Sequence, residues 1–248
     1  MMQDPKLQQK MVIDSLYYTY KYYAGRFAYQ AGLLDEALVV FKEMTDPQIV
    51  GVAMEEDVMR CHEFIAQIYN DKKDTVQYVE NLKIGVEKYP HEPWFLQNLI
   101  NHYIFSGQEQ EAINYLNRAI EREPNEAQYH MILGNLNENQ KNYETALANF
   151  DRALALNPTL ADAEAGKGRV YYNQAVQKNE EAAYIEDSKA YKKALNEMTE
   201  LFRQSLPFFE KAHELAPENR DYMIVLKQLY GRFEMNEKRQ AIINELDM

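Results

Sequence analysis

The sequence holds a single cysteine, Cys61, so it can close no internal disulfide and build no multi-cysteine metal site. No apolar run approaches the roughly 18 residues that a membrane span needs. The opening MMQDPKLQQKMVID lacks a signal-peptide apolar region, and as it stands the chain is expected to be soluble. Clusters of Lys and Arg are missing as well. The net charge is -12, which repels phosphate backbones and argues against binding nucleic acid or an anionic membrane surface. Catalytic signatures are equally scarce: there is no HExxH, no glycine-rich phosphate loop and no GxSxG. No His, Cys or carboxylate set has metal-ligand spacing, so no catalytic residue, metal or cofactor is expected. The fragment GKG at 166–168 sits within a helical pattern, without the strand and loop of a phosphate cradle, and reads as close helix packing. The acidic runs EED (55–57) and NEE (179–181) read as solvated faces or helix starts.

What is present is a core-forming composition, 46% hydrophobic and 27% charged, with a regular internal period. Pro90, Pro124 and Pro158 are spaced 34 residues apart. The next equivalent proline, Pro217, follows after 59 residues, so one unit carries a 25-residue insertion, AVQKNEEAAYIEDSKAYKKALNEMT (175–199). In the unit 127–160, apolar Met131, Leu133 and Leu136 form one helical run. Ala146, Leu147, Phe150, Ala153 and Leu154 form a second, with polar NENQKN between them. This is a helical hairpin. Numbered from Ala127, Gly134 (position 8) and Ala146 (position 20) let the two backbones approach. Phe150 and Ala153 (positions 24 and 27) face the next unit, and Pro158 (position 32) ends the second helix. His62 and His130 fall at position 4, a packing position, and His91 lies in a linker.

Leu133, Gly134, Ala146, Phe150, Ala153 and Pro158 resemble the tetratricopeptide repeat pattern. The unit from Pro93 is similar, with Leu99, Tyr103, Gly107, Ala112, Ala119 and Pro124, and departs at Ile100 where glycine is usual. The unit from Met59 keeps Tyr69, Leu82 and Pro90 but has Tyr78 where alanine is expected. Gly25, Ala37 and Phe41 mark a unit over 18–51, followed by seven further residues. Gly168, Tyr171, Phe209, Ala212 and Pro217 mark the interrupted one. The resemblance implies an all-α, right-handed superhelical solenoid of antiparallel helical hairpins, with one hairpin extended by about 25 residues. It is expected to form a single solenoid: an N-terminal hairpin with a long tyrosine-rich first helix (1–58), three regular repeats (59–160), the expanded repeat (161–219) and a capping helical pair (220–248). Every matched residue is a packing residue, so the pattern speaks to fold and not to chemistry.

By the same resemblance, first-helix positions 2, 5, 6, 9, 12 and 13 line a concave face. The unit from Pro93 places Trp94, Gln97, Asn98, Asn101, Ile104 and Phe105 there. The next two units place Gln128, Met131, Ile132, Asn135, Glu138 and Asn139, then Asp162, Ala165, Gly166, Arg169, Tyr172 and Asn173. Amide side chains donate and accept, which suits a peptide backbone of any sequence, and aromatic side chains suit anchoring. The candidate partner-binding residues are therefore Trp94, Asn98, Asn101, Phe105, Asn135, Asn139, Arg169, Tyr172 and Asn173, and the expected partner is a protein or peptide. Some family members clamp a terminal carboxylate with a lysine at position 5. That position here holds Tyr22, Glu63, Gln97, Met131, Ala165 and Ile224, so such a clamp is not expected.

Two features exceed the common repeat. SLYYTYKYYAGRFAYQ (15–30) concentrates six of 19 tyrosines, too many for one buried helix face. The insertion keeps repeat register, with Gln174 at position 14 and Glu200 at position 15. It is expected to lengthen both helices of one hairpin around a tip near Ile185 to Ser188, capped by Asp187 or Ser188. Pro207 is expected to kink or break the returning helix near Ser205. Such an arm needs packing partners: the C-terminal hairpin, a second copy in a homodimer through 175–199, or another protein. The runs YPHEPWFLQNLINHYIFSGQ, GRVYYNQAV and LKQLYGRFEMNEKRQAII further resemble a group of bacterial envelope proteins with this repeat. That resemblance implies a periplasmic or envelope location if the opening MM marks a trimmed chain, and a cytoplasmic one otherwise. The expected function is non-catalytic: a module that recruits or scaffolds a partner on its concave face. The alternatives are a structural homo-oligomeric subunit using the extended hairpin and tyrosine-rich helix, or a regulatory part of a longer enzyme.

Overall fold

The computed structural model describes residues 5–46 and 54–247, with side chains from residue 16 onward. Residues 47–53, which hold the end of the expected 18–51 unit, lie outside the described residues, as do Met1 and Met2. Among the described residues there are twelve α-helices and no strand: α1 (Pro5–Gln30), α2 (Leu34–Met44), α3 (Glu55–Asp71), α4 (Thr75–Lys88), α5 (Pro93–Phe105), α6 (Glu109–Arg122), α7 (Ala127–Asn139), α8 (Tyr143–Leu156), α9 (Ala161–Ala182), α10 (Ser188–Leu215), α11 (Arg220–Arg232) and α12 (Asn236–Leu246). This is an all-α helical-repeat fold. The chain divides into two units within α6, one ending at Tyr115 and the other starting at Leu116. In the first, α1 packs on α2 and α3, and α3 on α2 and α4, followed by α4 on α5. In the second, α7 packs on α8 and α9, α9 on α8 and α10, and α11 on α10 and α12.

The hairpin turns are built alike. Gly32, Lys73, Gly107, Lys141 and Glu234 all take positive φ, between 57° and 76°, and each falls at position 15 of its unit. The residue after each donates its N–H five residues back: Leu33 to Ala28 at 2.9 Å, Asp74 to Tyr69 at 2.9 Å, Gln108 to Tyr103 at 2.7 Å, Asn142 to Asn137 at 2.8 Å and Met235 to Tyr230 at 2.9 Å. That bond satisfies a helix-end carbonyl and stops the first helix. The second helices stop at the period-34 prolines, which follow the last helical residue by two positions in α4, α8, α10 and α6.

Packing between hairpins depends on large rings seated on small residues. Phe150 of α8 is fully buried between Gly134 of α7 and Gly166 of α9; a Cβ there would lie 2.6 Å and 2.5 Å from its ring. The GKG fragment thus sits inside α9, and its second glycine, Gly168, faces Phe209 at 2.8 Å in the same sense. Gly25 faces Phe41 at 2.7 Å. Where position 8 holds Ala66 or Ile100, position 24 holds the smaller, buried Leu82 or Leu116 instead of phenylalanine. Volume is conserved column by column, as close packing requires.

The extended hairpin is α9 and α10. α9 has 22 residues where α5, α7 and α11 have 13; α10 has 28 where α4, α6 and α8 have 14. Both helices run through the position at which the other units turn, and the chain reverses at 183–187 instead. The Asp187 carboxylate caps α10 by accepting the Ala190 N–H at 2.8 Å. Ala175, Ala182, Ala194 and Met198 are buried along the arm, and Lys178 meets Glu197 at 3.2 Å. Of the kink or break expected near Ser205, the break does not occur: α10 is continuous from Ser188 to Leu215 with Pro207 inside it. Pro207 is exposed, while Phe202 and Phe209 on either side are buried and Ser205 donates to the Gly168 carbonyl at 2.9 Å. Burial worth about 1.5–3 kcal/mol per large side chain offsets the roughly 3 kcal/mol that an interior proline costs.

His62 of α3 is buried, with Nε2 3.4 Å from the Lys88 ammonium and Nδ1 without a hydrogen-bond partner among the described residues. Burial first, then the Lys88 charge, push its pKa down to about 4. The folded pKa lies below the unfolded value of about 6.5, so the unfolded chain takes a proton that the folded chain refuses, and stability falls from pH 6.5 toward pH 4. Urea unfolding at about pH 7 and about pH 4.5 should therefore show a loss in the wild type, of which His62→Phe removes roughly 2–3 kcal/mol. A second expectation concerns the ring seat. Gly166→Ala should cost about 1–2 kcal/mol in the wild type, because the ring cannot yield to the new methyl. In a Phe150→Leu background the same change should be neutral or stabilising, since only the helix-propensity gain of roughly 1 kcal/mol remains; a denaturation double-mutant cycle reads the difference.

Candidate interaction face

The nine residues expected on the interaction face fall in both units. In the first unit, Trp94 is half-buried and meets the Phe95 ring edge-on at 5.2 Å. Asn98 donates to the Trp94 carbonyl at 2.8 Å and is within 3.5 Å of the Tyr78 hydroxyl. Asn101 is exposed, and Phe105, the last residue of α5, is 90% exposed. Nearby, Val76, Val79, Lys83, His102, Tyr103 and Gln108 line a separate cleft of about 560 Å³.

In the second unit α7 and α9 carry the remaining residues, and two of them, Arg169 and Asn173, converge on Glu138. The Arg169 Nε lies 3.1 Å from both Glu138 carboxylate oxygens, and Nη2 lies 2.9 Å from Oε2. The same Nη2 donates to the Asn135 carbonyl oxygen at 2.8 Å. Asn173 donates to Glu138 Oε1 at 3.1 Å. The Glu138 side chain is 6% exposed and that of Arg169 39%. A buried carboxylate needs such charge-assisted partners, and the network ties α9 to α7. Asn139 stands exposed at the end of α7. Its neighbours in the sequence pattern are therefore partly structural: Arg169 and Asn173 spend hydrogen bonds on their own fold, which an exposed row of amides would not.

α9 is tied to α11 as well. Tyr222 donates to the Asp162 carboxylate; burial, and then this bond, raise the Tyr222 pKa, while Arg169 pulls it down. Tyr172 donates to Gln228 Oε1 at 2.9 Å and meets the Phe202 ring edge-on at 5.0 Å. The Arg232 guanidinium lies 4.0 Å from the Phe202 ring centroid, a cation–π contact. Tyr172, Gln228, Leu229 and Arg232 line a cleft of about 540 Å³. Gln228, Leu229 and Arg232 were not among the expected residues. Gln228 and Arg232 occupy positions 9 and 13 counted from Arg220, the columns of Arg169 and Asn173, so the period itself held the signal for them. Among the described residues no group of three or more His, Cys, Asp or Glu is arranged to hold a metal ion, and no helix is long and apolar enough to cross a membrane.

The tetratricopeptide repeat family model matches residues 98–161. Residues 98–161 thus match a tetratricopeptide repeat. Solved structures similar to it include a tetratricopeptide repeat protein from Parabacteroides merdae, at 15% identity over 92% of this chain and 78% of that one, with a TM-score of 0.60. MamA from Desulfovibrio magneticus RS-1 is similar at 16% identity over 76% and 91%, with a TM-score of 0.51. A monomeric mutant of IFIT1 with Gppp-AAAA is similar at 16% identity over 86% of this chain and 46% of that one, with a TM-score of 0.58. These likenesses show the helical-repeat fold. No curated protein sequence matches the chain.

The exposure difference across the network sets an asymmetry. Arg169→Ala leaves the buried Glu138 carboxylate without its main partner and should cost about 2–4 kcal/mol. Glu138→Ala leaves Arg169 able to reach water and should cost about 1–2 kcal/mol. Urea denaturation of the two variants gives the comparison.

Proposed function

We propose that the protein is a non-catalytic interaction module that recruits or scaffolds a peptide or protein on the face formed by α7, α9 and α11. The observation that carries this reading is the cleft of Tyr172, Gln228, Leu229 and Arg232. Its groups are held before any ligand arrives: Tyr172 by Gln228 and Phe202, and Arg232 by the Phe202 ring. Preorganised aromatic and guanidinium groups lose little freedom on binding and make effective anchors. Gln228 supplies an amide suited to a peptide backbone, and Arg232 suits a carboxylate on the partner. The chain's net charge of -12 favours a protein partner over nucleic acid. The sequence resemblance to envelope proteins supports a place in the bacterial envelope.

Selection of a displayed peptide library on the immobilised chain, followed by calorimetry on the selected sequences, tests the proposal. A Tyr172→Ala/Arg232→Ala variant that keeps its helical signal should bind about a hundredfold more weakly. Equal affinity for wild type and variant would remove the α9–α11 cleft as the binding site.

A further inference from the structure

The tyrosine-rich helix α1 presents a second surface that the α7–α9–α11 face does not involve. Its inner side is accounted for: Tyr22 is buried with Phe41, Ile65 and Tyr69, Tyr29 donates to Asp71 at 2.8 Å, and Lys21 pairs with Glu43. Its outer side is not, among the described residues. Leu16, Tyr17, Tyr20, Tyr23 and Phe27 are between 46 and 73% exposed. Leu16, Tyr20, Tyr23 and Phe27 follow one another at steps of four, three and four residues, which places them on one stripe of the helix.

We infer that this stripe joins two copies of the chain through an antiparallel α1–α1 contact. Three observations lead to a second copy as occupant. First, the four-three-four spacing reads the same in both directions. A two-fold axis between Lys21 and Tyr22 sets Leu16 of one copy on Phe27 of the other and Tyr20 on Tyr23, a self-complementary contact of the kind that two-fold symmetry requires. Tyr17 of one copy then flanks the small, exposed Ala24 of the other. Secondly, the five stripe residues are uncharged, so no ion is desolvated along the stripe itself. Two cations border the stripe and both are engaged: Arg26 lies 5.6 Å from the Tyr23 ring and 5.7 Å from that of Tyr22, and Lys21, paired with Glu43, lies 5.7 Å from the Tyr17 ring. Thirdly, the five side chains leave roughly 600 Å² per copy to cover, at the upper end of patches on monomers and, doubled, at the lower end of specific interfaces. Tyrosine suits such a surface because its body is apolar while its hydroxyl reaches the polar rim.

Sedimentation velocity of the full chain over a dilution series reads the association directly. A concentration-dependent dimer is expected, and Tyr20→Glu/Tyr23→Glu should weaken it by about a hundredfold with the helical signal and urea midpoint retained, since both side chains face solvent in the monomer. A disulfide-trapping pair fixes the geometry. An equimolar mixture of Leu16→Cys and Phe27→Cys chains should give crosslinked dimer on mild oxidation, and Leu16→Cys alone should not. A chain that stays monomeric at all concentrations, a dimer indifferent to the Tyr20/Tyr23 change, or crosslinking of Leu16→Cys to itself would each overturn the proposal. The Tyr172→Ala/Arg232→Ala variant should dimerise like the wild type, so failure of the peptide-binding reading does not alter this outcome.

Discussion

Three of the described hairpins, α1–α2, α7–α8 and α9–α10, are positioned by how closely a phenylalanine ring can approach a glycine backbone. Phe150 shows the constraint most completely. It projects from α8, lies against Gly134 of its own hairpin, and lies equally close to Gly166 of the next. One side chain therefore sets two distances, within a repeat and between repeats. Because interiors are packed to near-crystalline density, those distances leave little tolerance for a Cβ. The Gly25–Phe41 and Gly168–Phe209 pairs repeat the arrangement. Where position 8 holds Ala66 instead of glycine, the buried residue at position 24 is Leu82. The α7–α9–α11 face follows from this spacing: Arg169 reaches Glu138 across a gap that Phe150 and its glycines set from behind.

The extended hairpin obeys the same rule at a different length. Where α9 and α10 pass the position of the usual turn, alanines replace the rings: Ala175, Ala182 and Ala194 bring the two helices together along the arm. The expected need of the arm for a partner is met in part within the hairpin, because these small residues and Met198 bury against one another. The tip remains open, with Tyr184 89% exposed.

Much of the fold was legible because packing residues recur at a fixed period, and a period survives a poor match at any one position. Proline spacing located the insertion, and position 8 located the glycine seats. What the pattern could not carry was pairing across columns. Asn135, Arg169 and Asn173 read as three polar residues on an exposed face, and only the structure shows that Glu138, buried at position 12, gathers Arg169 and Asn173 while Arg169 also holds Asn135. Asn98 likewise turns its amide back to its own helix. The unbroken passage of α10 through Pro207 was hidden for a similar reason. A local rule gave the cost of the proline, whereas the compensation comes from Phe202, Ser205 and Phe209 lying against another helix. Of the tyrosine-rich segment, the sequence showed that one helix face could not hold it, and the structure shows which residues turn outward.

The hairpin turns have a bearing on how such a chain can change. Nothing lies within 4 Å of where a side chain would start at Gly32 or Gly107, and three of the five left-handed positions are filled by Lys73, Lys141 and Glu234 despite roughly 1–2 kcal/mol of strain each. The turns close the hairpins without contributing to the core. Chain length is thus nearly a free variable at that point: new residues inserted there alter no ring seat and shift no repeat out of phase. α9 and α10 record one such enlargement, and the same opening exists at each of the other five turns.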